Sequence, residues 1–457
     1  MAGIGFEIRK VLRREELTSI ITAYVYAGAL GAGPWLISIL GILSSSLLAR
    51  SFTSETNIIR QYQVSVTYLI AISLILTGPI QLMLTRYMAD RIFEEDMKSI
   101  LPNLTGALLL CMGGSFFLSF PIVPLLFKGV HPLFQVLFIL CLTFLSGMWI
   151  SNILLNSLKN YRYILFSFFI SYLLILVLTS FFVRSWGLNG LLSAFFLGHL
   201  LLFCLLTSCL IYHYPSDKFI EFDFLKKERR YIPYLFTGLF YNLGIWIDKF
   251  IFWMFPQTGQ IVIGPLRASM VYDVPIFLAY LAIVPGMAAF LVRLEADFAQ
   301  DCDSYYSAIR EGATLSRIHS LSINLARSIR TALLDIFMTQ LVANVMIYML
   351  VESLFSFFHL SYLYIPLFVI DSVGTFLQLI FMANLTVLFY FDRQKETAYL
   401  SFIFLVLNGI FSYLSIKLGP FFYGYGFVVA FLISNVIGFI LVRRLIGRIN
   451  YATFMLS

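Results

Sequence analysis

Apolar runs of about twenty residues follow one another along almost the whole chain, and no other feature constrains the fold as strongly. Each run is long enough to cross the ~30 Å hydrocarbon core of a bilayer as an α-helix. A membrane β-barrel would instead show segments of about ten residues with alternating polarity. Only 12% of the 457 residues are charged, whereas soluble proteins carry roughly 25%. The sequence therefore predicts an all-α membrane protein without large aqueous domains.

The apolar runs predict about twelve transmembrane helices. The first six spans are predicted at residues 18–48, 63–85, 101–127, 132–156, 163–183 and 188–212. The second six are predicted at residues 231–255, 270–292, 331–351, 362–390, 398–416 and 423–442. This pattern predicts two six-helix lobes, at 18–213 and 231–457.

Three segments outside the spans have a distinct composition. The mixture of apolar and basic residues within 1–17 predicts an interfacial amphipathic helix. Residues 214–230 are predicted to link the lobes in the cytoplasm, and residues 297–330 to form a cytoplasmic insertion in the second lobe. The insertion carries four arginines, which favours an amphipathic helix along the membrane, facing lipid phosphates or a protein partner. Simple anchoring by positive charge explains the same arginines.

Lys and Arg residues are divided unequally between the two sides of the predicted bundle. With the N-terminus inside, 24 of the 31 basic residues lie in cytoplasmic segments and seven lie on the opposite side. Positive charge favours the cytoplasmic side of a membrane protein, so both termini are predicted to be cytoplasmic. The net charge of +7 reflects this orientation, and no nucleic-acid partner is expected.

Two short motifs recur in the second half of the chain. Gly78-Pro79 and the string Leu84–Asp90 correspond, at an offset of 207, to Pro285-Gly286 and Leu291–Asp297, with four identities in the strings and the Gly/Pro order exchanged. The string that begins at Gly190 matches Gly426 onwards at an offset of 236. Because six spans are an even number, such halves share one orientation, and a parallel pseudo-two-fold repeat is predicted.

The candidate charges within the predicted spans of the second lobe are Asp248, Lys249, Asp335 and Asp371. A charge inside the bilayer is costly, so it usually faces a cavity or a partner. We expect these residues to contribute to a cation or proton site that serves transport or its coupling. A buried ion pair of Lys249 with either aspartate, or snorkelling to an interface, is the structural alternative.

Other residues could serve transport. Gly31, Gly33 and Pro34 would bend the first span, because proline removes a helical hydrogen bond; tight packing is the alternative. Arg86 and Arg293 end spans 2 and 8 at the cytoplasmic side, as an inward gate or as anchors to phosphates.

The aromatic residues, 17% of the chain, raise the question of sugar stacking. Trp35 and Trp246 are the candidates for stacking on sugar rings, although lipid-facing and interfacial positions explain most aromatic residues. The five cysteines and five histidines show no metal-ligand spacing. No catalytic residue, metal or cofactor is predicted.

The beginning of the chain resembles a known family. The strings Met1–Lys10, Tyr24–Gly28 and Gly31–Trp35 are similar to the Pel exopolysaccharide transporter (PelG) family. That family is a branch of the multidrug/oligosaccharidyl-lipid/polysaccharide (MOP) flippase superfamily. The resemblance implies a MATE-like V of two lobes around a central cavity. It also implies movement of Pel, an amino-sugar-rich polysaccharide, across the bacterial inner membrane.

Further implications of the resemblance concern mechanism and partners. The polymer would pass by alternating access or through a gated passage, with a cytoplasmic glycosyltransferase and other membrane subunits of a synthase complex as partners. Ion-coupled and synthesis-driven export are both compatible with the sequence.

Several alternatives remain at this point. A cation-coupled small-molecule exporter or a lipid-linked oligosaccharide flippase would share the superfamily. A non-catalytic scaffold of a synthase complex is disfavoured by the paired-lobe repeat. A membrane-bound glycan polymerase is disfavoured because no sizeable outer loop is present to carry catalytic residues. The major-facilitator fold also has two parallel six-helix halves, and its loop after span 2 carries glycine and paired basic residues. The corresponding segment here, Ala89-Asp90-Arg91-Ile-Phe-Glu-Glu, lacks them, so the match to that fold fails.

Overall fold

The computed structural model describes Gly28 and residues 33–53, 55–157, 161–226 and 231–449. The first half contains helices α1 (Gly33–Arg50), α2 (Thr56–Phe93), α3 (Ile100–Leu126), α4 (Pro132–Ser157) and α5 (Tyr161–His213). The second half contains α6 (Ile232–Met254), α7 (Met270–Ala282), α8 (Val284–Phe290), α9 (Ala299–Arg310), α10 (Leu315–Phe357), α11 (Ile365–Tyr390), α12 (Gln394–Leu418) and α13 (Tyr425–Ile446). The predicted all-α membrane fold is confirmed.

Nine helices of the described residues are long and apolar enough to cross a membrane, or ten when the bent pair formed by α7 and Val284–Arg310 counts as one. The 53-residue α5 would extend about 80 Å at 1.5 Å per residue, more than twice the ~30 Å hydrocarbon core. Its backbone leaves the helical region at Gly187, with φ 51° and ψ −122°. L side chains rarely adopt this conformation, so the glycine separates the fifth and sixth predicted spans. With α6, these helices accommodate the twelve predicted spans.

A short antiparallel hairpin between α6 and α7 was not predicted from the sequence. It pairs β1 (Gln260–Ile263) with β2 (Leu266–Ala268). The run Ile261-Val262-Ile263 is β-branched and suits a strand. Hydrogen bonds join the hairpin to α2, from Arg60 to Gln260 at 2.8 Å and from the Tyr68 hydroxyl to the carbonyl oxygen of Arg267 at 3.1 Å.

The chain divides into two compact units, each with its own internal packing. The first unit comprises Gly33–Trp246 and Phe252–Ser269, and the described part of the second comprises Gly28, Ile247–Ile251 and residues 270–449. The lobe boundaries predicted from the sequence remain a prediction. The predicted amphipathic helix at 1–17 lies outside the described residues.

A break between α7 and α8 is closed by one buried side chain of α10. Gln340 donates from Nε2 to the carbonyl oxygen of Ala282 at 2.9 Å, and its Oε1 accepts from the N–H of Gly286 at 2.9 Å. The break leaves backbone groups without helical partners, which is tolerated in a membrane only when the protein satisfies them. The axis bends by 42° here, and Gln340 stabilises that bend.

The predicted insertion does not form one surface helix. After α8 the chain runs through a π-helical stretch, Leu291–Phe298, into α9. The chain turns after Arg310, and α10 begins behind Thr314, whose side chain accepts a hydrogen bond from the N–H of Arg317. Such an N-cap starts a new helix, so the insertion divides between α9 and the first turns of α10.

Candidate functional site

Two adjacent charged residues of α6 lie in the interior of the second unit. Asp248 is fully buried and Lys249 is 5% exposed. The Lys249 ammonium lies 3.0 Å from Oδ2 and 3.3 Å from Oδ1 of Asp248. The ion pair anticipated as the structural alternative is therefore present for these two residues. Because removal of one partner would leave a buried charge, the two side chains depend on each other.

Two further helices complete the hydrogen bonding of Asp248. Tyr272 of α7 donates from its hydroxyl to Oδ2 at 2.7 Å, and Asn408 of α12 donates from Nδ2 to Oδ1 at 3.5 Å. Ser412, one turn later on α12, donates to Oδ1 of Asn408 at 3.1 Å. The Asp248 side chain thus accepts hydrogen bonds from one cation and two neutral donors.

Aromatic rings flank the Lys249 ammonium. Its Nζ lies 5.4 Å from the ring centroid of Tyr280 and 5.2 Å from that of Phe427. Cations within about 6 Å of a ring face are attracted by the ring quadrupole. The ammonium is therefore stabilised in a site with little access to water.

Asp371 of α11 is the second buried carboxyl of this site. It is fully buried, and neither carboxylate oxygen has a hydrogen-bond partner among the described residues. It interacts electrostatically with Lys249 and Asp248. Gly424, which precedes α13, has φ 82°, and a Cβ there would lie 2.7 Å from Oδ1 of Asp371. Only glycine fits both constraints, and Asp371 adjoins the N-terminus of α13, where the helix dipole favours negative charge.

We call Asp248, Lys249, Tyr272, Asp371 and Asn408 the buried acidic cluster. Two carboxylates face one ammonium, so the fully ionised cluster carries one net negative charge. A proton or a bound cation on Asp371 would neutralise it. Asp371 is the seventh residue of α11, roughly 9 Å from the helix start at 1.5 Å per residue. Asp371 therefore lies about midway between the start of α11 and its centre, whereas Asn408 lies near the centre of α12.

The remaining predicted charge, Asp335 of α10, does not join this cluster. Its Oδ2 lies 2.8 Å from Nε of Arg293. Nη1 of the same arginine lies 3.0 Å from Oδ2 of Asp297. The corresponding Arg86 contacts Asp90 at 3.2 Å, again four residues later. Both predicted gate arginines are about one third exposed and lie in ion pairs.

Gly33, Pro34, Trp35 and Trp246 lie in the first unit. Gly33 is buried, and a Cβ there would lie 2.4 Å from Cδ1 of Leu165, so close packing is required at this position. Pro34 and Trp35 follow at the beginning of α1 and are half-buried, and Gly31 lies outside the described residues. Trp246 is half-buried, 6.4 Å from the ring centroid of Trp253. The roles of these residues in bending and sugar stacking remain predictions.

Sequence reasoning missed the neutral partners of the cluster. Tyr272, near the start of its predicted span, and Asn408, in the middle of its span, do not differ in type from other polar residues of the spans. Gln340 and Asn344 offered a clearer signal, because two amides four residues apart in an apolar span lie on one helix face. Gln340 donates to Oδ1 of Asn344 at 2.7 Å. No group of three or more histidine, cysteine or acidic residues within the described ranges is suited to a metal ion.

A model of the PelG exopolysaccharide exporter (EPS-E) family matches residues 1–454. No curated protein sequence matches the chain.

Solved structures of MOP-superfamily transporters share the fold. A transporter from Pyrococcus furiosus, described as having a binding pocket of reverse polarity, is 14% identical with a TM-score of 0.63, covering 93% of this chain and 96% of its own. A MATE transporter in complex with MaL6 is 13% identical with a TM-score of 0.65, and the match covers 94% of this chain and 96% of the transporter. A MATE transporter in the bent conformation is 14% identical with a TM-score of 0.63, covering 98% of both chains.

Proposed function

The chain belongs to the PelG exopolysaccharide exporter family, and we propose that it carries a Pel-type exopolysaccharide across the bacterial inner membrane. The match over residues 1–454 is the observation that carries this proposal, and the MOP transporter fold supports it. The family implies a polysaccharide substrate and a membrane location. In this proposal the chain is a carrier and catalyses no covalent step.

The buried acidic cluster is the proposed coupling site. Asp248 has a cation and two donors, whereas Asp371 has no hydrogen-bond partner among the described residues. An unpaired carboxylate in an apolar interior is costly, so Asp371 is the group that takes up a proton or a small cation. Lys249 remains paired with Asp248 and fixes the electrostatic field in which Asp371 titrates.

Uptake at Asp371 would bias transport through a difference in affinity between two states. A ligand shifts a conformational equilibrium only as far as its affinities for the two states differ. Asp371 is fully buried in the described state, so exchange with water requires a second state in which it is accessible. Neutralised Asp371 favours the buried state, and ionised Asp371 favours the accessible one.

Orientation and partners complete the proposal. The distribution of 24 and seven basic residues favours cytoplasmic termini. We expect reporter fusions at the C-terminus to be active in the cytoplasm, and a C-terminus outside would contradict the topology. The polymer would come from a cytoplasmic glycosyltransferase acting with other membrane subunits.

The proposed function is tested in a strain that makes the polymer. Deletion of the gene should trap polymer inside the cell, and wild-type protein supplied in trans should restore surface polysaccharide. Surface polysaccharide that is unchanged by the deletion would overturn the proposal.

A second candidate function is cation-coupled export of small molecules. The presence of a buried carboxyl in a fold shared with a multidrug-resistance MATE transporter favours it. Expression in a drug-sensitive host separates the two functions. Raised resistance that is lost in Asp371→Asn would support the second candidate, and unchanged resistance supports the first.

A further inference from the structure

An open surface cavity of about 350 Å³ lies at one end of the first unit. Its lining includes Gly129, His131, Trp186, Leu188, Asn189 and Ile263. These residues come from the α3–α4 connection, the break in α5 and the β-hairpin. All three segments lie on the side predicted to face outwards. The volume lies within the range of about 300–1,000 Å³ found for small-molecule sites.

An exposed indole forms one wall of the cavity. Trp186 is 56% exposed, although its ring lies 5.3 Å from that of Phe182 at the end of the first part of α5. The break at Gly187 places Leu188 and Asn189 beside the indole, around the same cavity. A flat apolar ring next to polar side chains is the arrangement that suits one face of a pyranose, whose C–H groups are apolar and whose hydroxyls project outwards.

The polar wall of the cavity presents hydrogen-bonding groups. The backbone N–H of Leu133 donates to Nδ1 of His131 at 3.2 Å. In the neutral imidazole, the proton therefore lies on Nε2, which is a donor. Asn189 is half-buried and adds an amide with both donors and an acceptor. None of the described residues that line the cavity is a carboxylate, so these residues offer no charged partner to an ammonium group.

We propose that this cavity is a carbohydrate subsite that binds one uncharged pyranose unit of the polymer as it leaves the transporter. The sugar ring stacks on Trp186, and its hydroxyls bond to His131 and Asn189. An interfacial tryptophan that only anchors the protein in lipid needs no cavity and no convergent donors. The inference deepens the proposed function and rests on it for the identity of the polymer.

The test measures binding of defined trisaccharides to the purified full chain by isothermal titration calorimetry. The fully N-acetylated chitotriose and maltotriose are neutral probes. The glucosamine trimer, which is the deacetylated form of chitotriose, is the cationic probe. We expect the neutral trimers to bind at least about tenfold more tightly than the cationic one. Trp186→Ala should weaken neutral binding roughly tenfold, and Trp186→Phe about threefold or less, consistent with the free energy of aromatic contacts.

Phe181→Ala is the matched control, because Phe181 is an exposed aromatic residue of the same helix, 66% exposed, outside the cavity lining. It should bind like the wild type. Asn189→Ala provides a second variant in case Trp186→Ala does not fold, and thermal unfolding of each variant checks folding. Unchanged affinity in both folded cavity variants, or preference for the cationic trimer, would overturn the subsite.

Export measurements distinguish failure of the subsite from failure of the proposed function. If the gene is required for surface polymer but the purified wild type binds no neutral trimer, the subsite is wrong and the proposed function stands. If Trp186→Ala abolishes binding but surface polymer does not depend on the gene, the cavity binds sugar and the proposed function is wrong.

Discussion

In the first unit, Gly41 of α1 packs directly against Tyr172 of α5, where a Cβ would lie 2.2 Å from the ring carbon Cδ1. The offset of 207 that relates the repeated motifs takes Gly41 to Asp248. The offset of 236 takes Tyr172 to Asn408. Asp248 and Asn408, in the second unit, are also in contact, through a hydrogen bond of 3.5 Å. Equivalent positions therefore meet in both units, but with different chemistry.

The first unit's interior is neutral at this place, and the His199 imidazole there is fully hydrogen-bonded. Nδ1 of His199 lies 2.9 Å from the carbonyl oxygen of Phe195, which can only accept, so Nδ1 carries the proton. Nε2 is then the acceptor for the Tyr172 hydroxyl at 3.2 Å. The imidazole is neutral and both of its nitrogens are satisfied. This interior holds helices together without a net charge.

The second unit's interior carries charge and leaves Asp371 without a hydrogen-bond partner among the described residues. At the position equivalent to His199, Asn435 accepts from Asn384 at 3.1 Å and donates to the carbonyl oxygen of Leu377 at 2.8 Å. The structural role of that position is retained, while the charge is concentrated at Asp248, Lys249 and Asp371. In the proposed mechanism, the polar interior of the first unit thus serves packing, and that of the second unit serves ion binding.

Asp371→Asn, in the second unit, should reduce export more than any substitution in the first unit. The amide has nearly the volume of the carboxyl but cannot take up a proton, so export should fall to background. Protein abundance in the membrane should remain normal. Surface polysaccharide and immunoblots of membranes measure the two quantities. Asp335→Asn is the matched control, and export at the wild-type rate in Asp371→Asn would make Asp371 purely structural.

Lys249→Met should destabilise the second unit, because Asp248 would remain buried without its cation. Breaking a buried ion pair costs about 3–5 kcal/mol. Thermal unfolding of the purified protein in detergent measures the loss. The double variant Asp248→Asn/Lys249→Met leaves no buried charge at this pair and should recover most of the stability. A double variant less stable than Lys249→Met would contradict the interpretation of the pair.

Tyr172→Phe tests the neutral interior of the first unit. It removes the donor to His199 and leaves a buried acceptor unsatisfied, which costs about 1–3 kcal/mol. Export should persist in cells where the variant is folded, because no coupling group is removed. A variant that is abundant in the membrane but exports nothing would show that both interiors take part in coupling.

Arg86→Gln and Arg293→Gln should have the smallest effects. Both arginines are about one third exposed, and exposed ion pairs contribute about 0–1 kcal/mol. Arg293 contacts two carboxylates, Asp297 and Asp335, so its loss should be the larger of the two. Thermal unfolding of Arg86→Gln and Arg293→Gln in the same detergent measures the two losses of stability. A larger loss in Arg86→Gln would contradict the assigned contacts.

The sequence predicted most span boundaries closely, because apolar run length follows bilayer thickness. The predicted span 132–156 corresponds to α4 (Pro132–Ser157), and 231–255 corresponds to α6 (Ile232–Met254). The prediction for 331–351 was shorter than α10 (Leu315–Phe357), because a helix can continue beyond the apolar segment when a neighbouring helix covers it. The hairpin at 260–268 was missed because its strands are only four and three residues long.

The candidate site was predictable only in part. The cost of intramembrane charge identified Asp248, Lys249 and Asp371, which are in one cluster, and also Asp335, which is not. Charge alone cannot distinguish these cases, because most of the groups that surround each residue come from other helices. Arg293, for example, lies 42 positions from Asp335 in the sequence. Long-range packing decides which carboxyl is paired.

The length of α10 has a practical consequence for imaging. Its 43 residues extend about 65 Å at 1.5 Å per residue, roughly twice the ~30 Å hydrocarbon core. A 52.3 kDa protein with short loops offers few features outside a detergent micelle for particle alignment in electron cryomicroscopy. The turn at Gly312, where the structure leaves open space around the backbone, joins α9 to this helix. A rigid fusion domain inserted there would provide the missing fiducial mark.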